Sequence, residues 1–219
     1  MELKTIVSKD SLAENTYVIT EGENALIIDP GKAEGNDNQL MTYLEDKNIK
    51  KITVFLTHGD YDHIGSLPEL QSKYDFIIYL DSMERITNFN KNLFKLCNQD
   101  QAEYLKLINV CENVEDIFEW NNHKFRVITV PGHTAGSIML EVDELKAYFS
   151  GDFLFKDDIG YVRENDPSST PKMMKESLNK LKSLKQDYTV YPGHGEPTNM
   201  GYEVKNNYYV NNPLESWSA

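Results

Sequence analysis

Thr57-His58-Gly59-Asp60-Tyr61-Asp62-His63 offers, within the six residues from 58 to 63, four side chains able to ligate a cation: His58, Asp60, Asp62 and His63. Imidazole and carboxylate together suit divalent zinc, iron or manganese. They can converge only if the backbone curls tightly, which Gly59 and Gly65 permit. Three more segments carry isolated groups of the same kind. His133 lies in Pro131-Gly132-His133-Thr134-Ala135-Gly136-Ser137, Asp152 in Ser150-Gly151-Asp152, and His194 in Tyr191-Pro192-Gly193-His194-Gly195. Taken singly, each has a plainer reading: a solvated polar loop, a satisfied loop histidine, or a turn or helix-cap aspartate. Their shared context argues otherwise. His58 and His63 follow KITVFL, His133 follows FRVITV, Asp152 follows AYFSG and His194 follows YTVY. Loops at strand ends, fixed by a rigid sheet, are where sites are built. The fifth histidine, His123, falls in the polar run Asn121-Asn122-His123-Lys124 and reads as a solvated surface residue.

The elements that must position these groups are legible from hydrophobic periodicity and turn residues. Strands are expected at 3–7, 16–20, 25–28, 51–56, 76–80, 116–119, 124–130, 137–142, 146–150 and 188–191. Helices are expected at 38–47, 64–73 and 172–184, with a short one after Gly201. Residues 82–109 lack Gly and Pro, place apolar side chains at helical intervals and read as two helices broken near Asn98, their aromatics serving the core. Strands and helices mix throughout without a Gly-, Pro- or Ser-rich linker. One α/β domain over 1–210 follows, with a helical insertion at about 82–109 and a C-terminal tail over 211–219.

At 219 residues, 40% hydrophobic and 26% charged, the chain can build a substantial core without disulfides. A formal net charge of −13 repels phosphate backbones, so nucleic acid is not an expected partner. No window approaches the ~18 consecutive apolar residues of a membrane span, and the N-terminus lacks a basic stretch followed by an apolar run. Cys97 and Cys111 stand apart from every motif and read as free thiols in a reducing cytoplasm.

The strings THGDYDHIGS, PGHTAGS, GDFLF and VYPGHGEPT, in this order, resemble the metallo-β-lactamase superfamily, and within it the glyoxalase II-like single-domain hydrolases. The helix expected from Gly201 to Asn207 also resembles that group, so the similarity runs from about residue 12 to 210. The resemblance implies a four-layer αβ/βα sandwich with the metal site at one edge between two sheets. It implies one or two divalent ions, zinc first, with iron or manganese as alternatives. His58, Asp60 and His133 would hold the first ion and Asp62, His63 and His194 the second, with Asp152 bridging them. One position departs from the family motif, which has histidine where this chain has Asp60; the related flavodiiron branch uses an acidic residue there. A carboxylate is harder and adds negative charge, which favours iron or manganese and raises the pKa of bound water.

The implied chemistry is hydrolysis of a small-molecule thioester or ester by metal-bound hydroxide, with Asp62 orienting the nucleophile. Thr134 and Ser137 are candidates to hydrogen-bond the ligands or simply to close their turn. Arg163 could meet an anionic substrate or be an ordinary surface arginine. The same site could instead serve an iron-dependent redox enzyme (a persulfide dioxygenase or flavodiiron-like module), a phosphodiesterase or a lactonase. A non-enzymatic binding protein with a degenerate metal site is a further alternative.

Overall fold

A computed structural model describes residues 1–9, 12–31, 39–87, 104, 106–107, 112–162 and 169–212. One sheet holds β1 (Glu2–Val7), β2 (Asn15–Glu21), β3 (Asn24–Ile28), β4 (Lys51–Phe55), β5 (Phe76–Leu80) and β6 (Glu112–Asn113), side by side in chain order. The other contains β7 (Ile117–Trp120), β8 (His123–Thr129), β9 (Ile138–Val142) and β10 (Ala147–Gly151). After a small hairpin of β11 (Leu154–Phe155) and β12 (Asp158–Ile159), this sheet is completed by β13 (Thr189–Pro192) and β14 (Thr198–Asn199). Its order is β14-β13-β10-β9-β8-β7. The helices are α1 (Gln39–Asp46), α2 (Tyr61–Ile64), α3 (Leu67–Lys73), α4 (Ser82–Thr87), α5 (Pro171–Lys180), α6 (Met200–Asn206) and α7 (Tyr208–Asn211).

Alternation along the strands assigns side chains to three apolar layers. In β2, Tyr17 and Ile19 point between the sheets while Val18 points toward α1 and α3; in β3, Leu26 and Ile28 oppose Ala25 and Ile27 in the same way. In β9 and β10, Leu140 and Phe149 face the other sheet, and Met139 and Tyr148 pack beneath α5 and α6. Both faces of β2, β3, β9 and β10 are therefore covered, which explains why these strands read as near-continuous apolar runs. The architecture is the four-layer α/β sandwich that the resemblance implied. Among the described residues no helix is long and apolar enough to cross a membrane.

The expected helix over 64–73 is interrupted, with α2 ending at Ile64 and α3 starting at Leu67. Pro68 explains the break: it has no N–H to give the Ile64 carbonyl, and its ring clashes with that turn. The helix expected to reach 184 ends at Lys180 and tightens into a 3₁₀ turn, Leu181–Ser183. Of the 82–109 insertion, α4 is described, and Tyr104 and Leu107 are buried in the layer beneath α1 and α3. Asn98, Cys97, Cys111, Arg163 and the tail beyond Asn212 lie outside the described residues. His123 stays partly exposed at the surface, as expected, but begins β8 rather than lying in the turn, stacks on Phe125 and sits 3.0 Å from Glu144 and 3.2 Å from Glu21.

The sheets meet where the site is built. β3 and β4 run parallel, as do β10 and β13, so their C-terminal ends reach one edge. Two backbone hydrogen bonds cross between the sheets there: Ile138 N donates to Thr57 O at 2.9 Å, and Asn15 N to Gly193 O at 2.7 Å. Gly151 makes the approach feasible, because it has φ +50° and a Cβ there would lie 2.1 Å from Thr57 Oγ1. A Gly151→Ala change should therefore cost ~2–4 kcal/mol, combining left-handed strain with overpacking. Urea unfolding measures this, and an unchanged midpoint would contradict the close approach.

Candidate metal centre

Each expected ligand leaves the end of a strand or the turn that follows. His58 comes just after β4, His133 after β8, Asp152 immediately after β10 and His194 after β13; Asp60 precedes α2, and Asp62 and His63 lie within it. His63 is thus helical, where a loop was expected. Asp60 occupies the N-cap position of α2 but makes no side-chain cap bond. Its Oδ2 instead lies 3.3 Å from His133 Nε2 and 3.8 Å from His58 Nε2.

The seven expected residues come together. Donor atoms of His58, Asp60 and His133 lie within 4.8 Å of one another, and so do those of Asp62, His63 and His194. Asp152 touches both groups: Oδ1 is 3.2 Å from His63 Nε2, and Oδ2 is 3.5 Å from His194 Nε2 and 3.7 Å from His133 Nε2. Two atoms bound to one tetrahedral ion at about 2.0–2.2 Å are separated by roughly 3.3–3.6 Å. Carboxylate-to-imidazole distances here run from 3.2 to 3.8 Å.

The imidazoles are oriented by their other nitrogens. His133 Nδ1 donates to Tyr161 O at 2.9 Å and His194 Nδ1 to Leu12 O at 2.7 Å; carbonyls only accept, so both Nδ1 atoms carry hydrogen. His63 Nδ1 lies 3.0 Å from Asp29 Oδ2. The Thr57 hydroxyl donates to that same oxygen at 2.6 Å, which leaves it to accept from His58 Nδ1 at 3.0 Å. All four Nε2 atoms therefore face the centre with lone pairs available to a cation. Among the described residues, His58 Nε2, His63 Nε2 and Asp152 Oδ1 are buried with no hydrogen-bond partner. Such orphaned atoms are costly unless a cation completes them. The donor set fits a metal.

Charge tells the same story. Burial pushes His58 down to about 4, keeping it neutral. Burial also opposes charge on His194 and His63, but the carboxylates outweigh it: Asp152 and Asp62 lift His194 to about 10 and His63 well above the usual imidazole range. Burial disfavours the Asp152 anion, yet His63, His194 and His133 hold its carboxyl well below the ordinary value. Without a cation, protons on these histidines balance the acids.

Sequence reasoning missed three acidic residues around this cluster. Asp29 follows β3 as His58 follows β4, so the strand-end rule could have found it. Its backbone is left-handed (φ +49°), and Oδ1 accepts the Thr57 N–H at 2.7 Å. Glu14 is fully buried beside Gly31 and the Asp62 carbonyl, and burial raises its carboxyl well above normal. Glu84, on α4, accepts from Gly59 N at 3.0 Å and Gly136 N at 2.8 Å. Neither glutamate has a local sequence signal. Thr134 and Ser137 hydrogen-bond each other at 2.8 Å and close their own turn.

Comparison with known proteins agrees with this geometry. Residues 10–194 match the family described as the metallo-beta-lactamase superfamily. The hydroxyacylglutathione hydrolase GloC of Haemophilus influenzae is 30% identical over 216 residues, 94% of this chain and 97% of that protein. Among solved structures, the BLEG-1 B3 metallo-beta-lactamase superposes with a TM-score of 0.81 at 25% identity, over 96% of this chain and all of the other. TTHA1623, solved in a di-iron-bound form, gives 0.73 at 27% identity, covering 93% and 98%. The chain belongs to the metallo-β-lactamase superfamily.

Metal uptake must displace the protons on His63 and His194, so affinity should rise with pH up to about 10. Calorimetric titration of metal-free protein near neutral pH, in buffers of different ionisation enthalpy, should show release of about two protons per fully loaded centre. No proton release would contradict the assigned charge states.

Proposed function

We propose that this protein is a metal-dependent hydrolase of small thioesters or esters. In this reading His58, Asp60 and His133 hold one divalent ion, Asp62, His63 and His194 hold a second, and Asp152 is shared. The observation that carries it is the convergence of four Nδ1-anchored histidines, Nε2 inward, on three carboxylates. Four imidazoles and three carboxylates without a thiolate suit zinc, iron or manganese. The kinship with GloC, a hydroxyacylglutathione hydrolase, supports a thioester.

Divalent ions bound there would lower the pKa of water from 15.7 toward about 7 and polarise an acyl carbonyl. The chain's residues do the positioning. In this reading Asp62, whose Oδ2 lies 3.2 Å from His194 Nε2, orients the attacking water and takes up its proton. Asp152 spaces the two triads, with Oδ1 beside His63 and Oδ2 between His194 and His133. Asp29, through Thr57 and His63, fixes two ring orientations from behind.

A second reading, oxidative chemistry at iron, draws on Asp60 and on the di-iron form of TTHA1623. Oxygen consumption by iron-loaded protein distinguishes the two.

Chelation should abolish thioester hydrolysis, readdition of metal should restore it, and Asp62→Ala should lower kcat by about 10²–10⁴-fold, the scale of lost general-base help. Near-normal turnover by metal-stripped protein would end the proposal.

A further inference from the structure

Glu84 is separated in sequence from every expected ligand, yet its carboxylate joins two ligand-bearing loops. α4 follows β5, and Asp81 starts the helix, its carboxylate accepting from Met83 N at 2.8 Å and its carbonyl from Glu84 N at 3.1 Å. This sets Glu84 in the first turn, 4% exposed, with its carboxylate pointing under the site. Oε2 accepts the N–H of Gly59, between His58 and Asp60, at 3.0 Å. Oε1 accepts the N–H of Gly136, three residues beyond His133, at 2.8 Å. The contact is close as well as polar: a Cβ on Gly136 would lie 2.8 Å from Glu84 Cγ, N and Oε1. The two loops come from different sheets, and each supplies part of one triad.

We propose that Glu84 is the positioning residue for the first half of the centre. By accepting one backbone N–H from each loop, it fixes the separation at which His58, Asp60 and His133 share one cation. This rests on the reading of those three residues as ligands. The chemistry requires a carboxylate of this length. An amide offers one acceptor and turns an NH₂ donor toward the other N–H, and aspartate is one methylene too short. Both backbone N–H groups that Glu84 accepts belong to loops carrying His58, Asp60 and His133, so the expected effect is on that half-site.

Cobalt(II) titration of the full-length metal-free protein, followed by its visible absorption, tests this, with His133→Ala and His194→Ala marking which signal belongs to which half. Glu84→Gln should weaken cobalt binding at the His133-dependent half about 10–100-fold, the usual cost of losing an outer partner of a metal site, and leave the His194-dependent half within about two-fold. Gly136→Ala, which displaces the carboxylate, should do the same. Amide exchange in the metal-free protein gives an independent readout: Gly59 and Gly136 N–H groups should lose protection together in Glu84→Gln. Equal weakening of both halves, or unchanged binding and exchange, overturns the inference. If wild-type protein shows no cobalt signal that His133→Ala removes, the ligand reading itself fails, and the positioning role falls with it.

Discussion

Everything at this edge of the sandwich answers to one electrostatic constraint: carboxylates and imidazoles have been withdrawn from water into a single small volume. Asp62 and Asp152 face histidines, and among the described residues no lysine or arginine reaches them. Anions buried this way are tolerable only when positive charge is supplied, by protons on His63 and His194 or by a cation that replaces them. The raised histidines and the depressed Asp152 are two sides of that same balance. A metal satisfies it better, because it lets every Nε2 and carboxylate oxygen act as a donor at once.

The scaffold holds this charge cluster with backbone atoms as well as with side chains. Carbonyls of Leu12 and Tyr161 anchor His194 and His133, the Thr57 and Asp29 side chains hold His58 and His63, and cross-sheet bonds at Thr57 and Gly193 tie the sheets together beside them. Gly193 shows how tight the centre is, since a Cβ there would lie 2.2 Å from Asp152 Oδ1 and 2.6 Å from His63 Cε1. Ordered main chain is a stiff support, which suits a site whose donors must stay at fixed separations.

The ligands were readable because each lies in a segment that follows a strand rich in apolar residues; β5 was anticipated to the residue at 76–80. The two-residue strands β6, β11, β12 and β14 were not, because two residues cannot display an alternation. Asp29 follows β3 as His58 follows β4, so the strand-end rule reaches it as well. Glu84 was hidden because its meaning lies 25 and 52 residues away in sequence, at Gly59 and Gly136. Local pattern reports which groups a strand end presents. It does not report which distant loop an acidic helix residue will hold. The Asp60 substitution was visible at once, but its consequence depended on reach, and the 3.3 Å approach to His133 supplies that.

The most direct test is anomalous diffraction from crystals of the protein as purified, collected across the zinc, iron and manganese edges. The account predicts anomalous density between the two triads, with Asp60 and His133 at bonding distance from one ion, Asp62 and His194 from the other, and Asp152 reaching both. Density elsewhere, or well-ordered triads without any scatterer in metal-replete crystals, would contradict it.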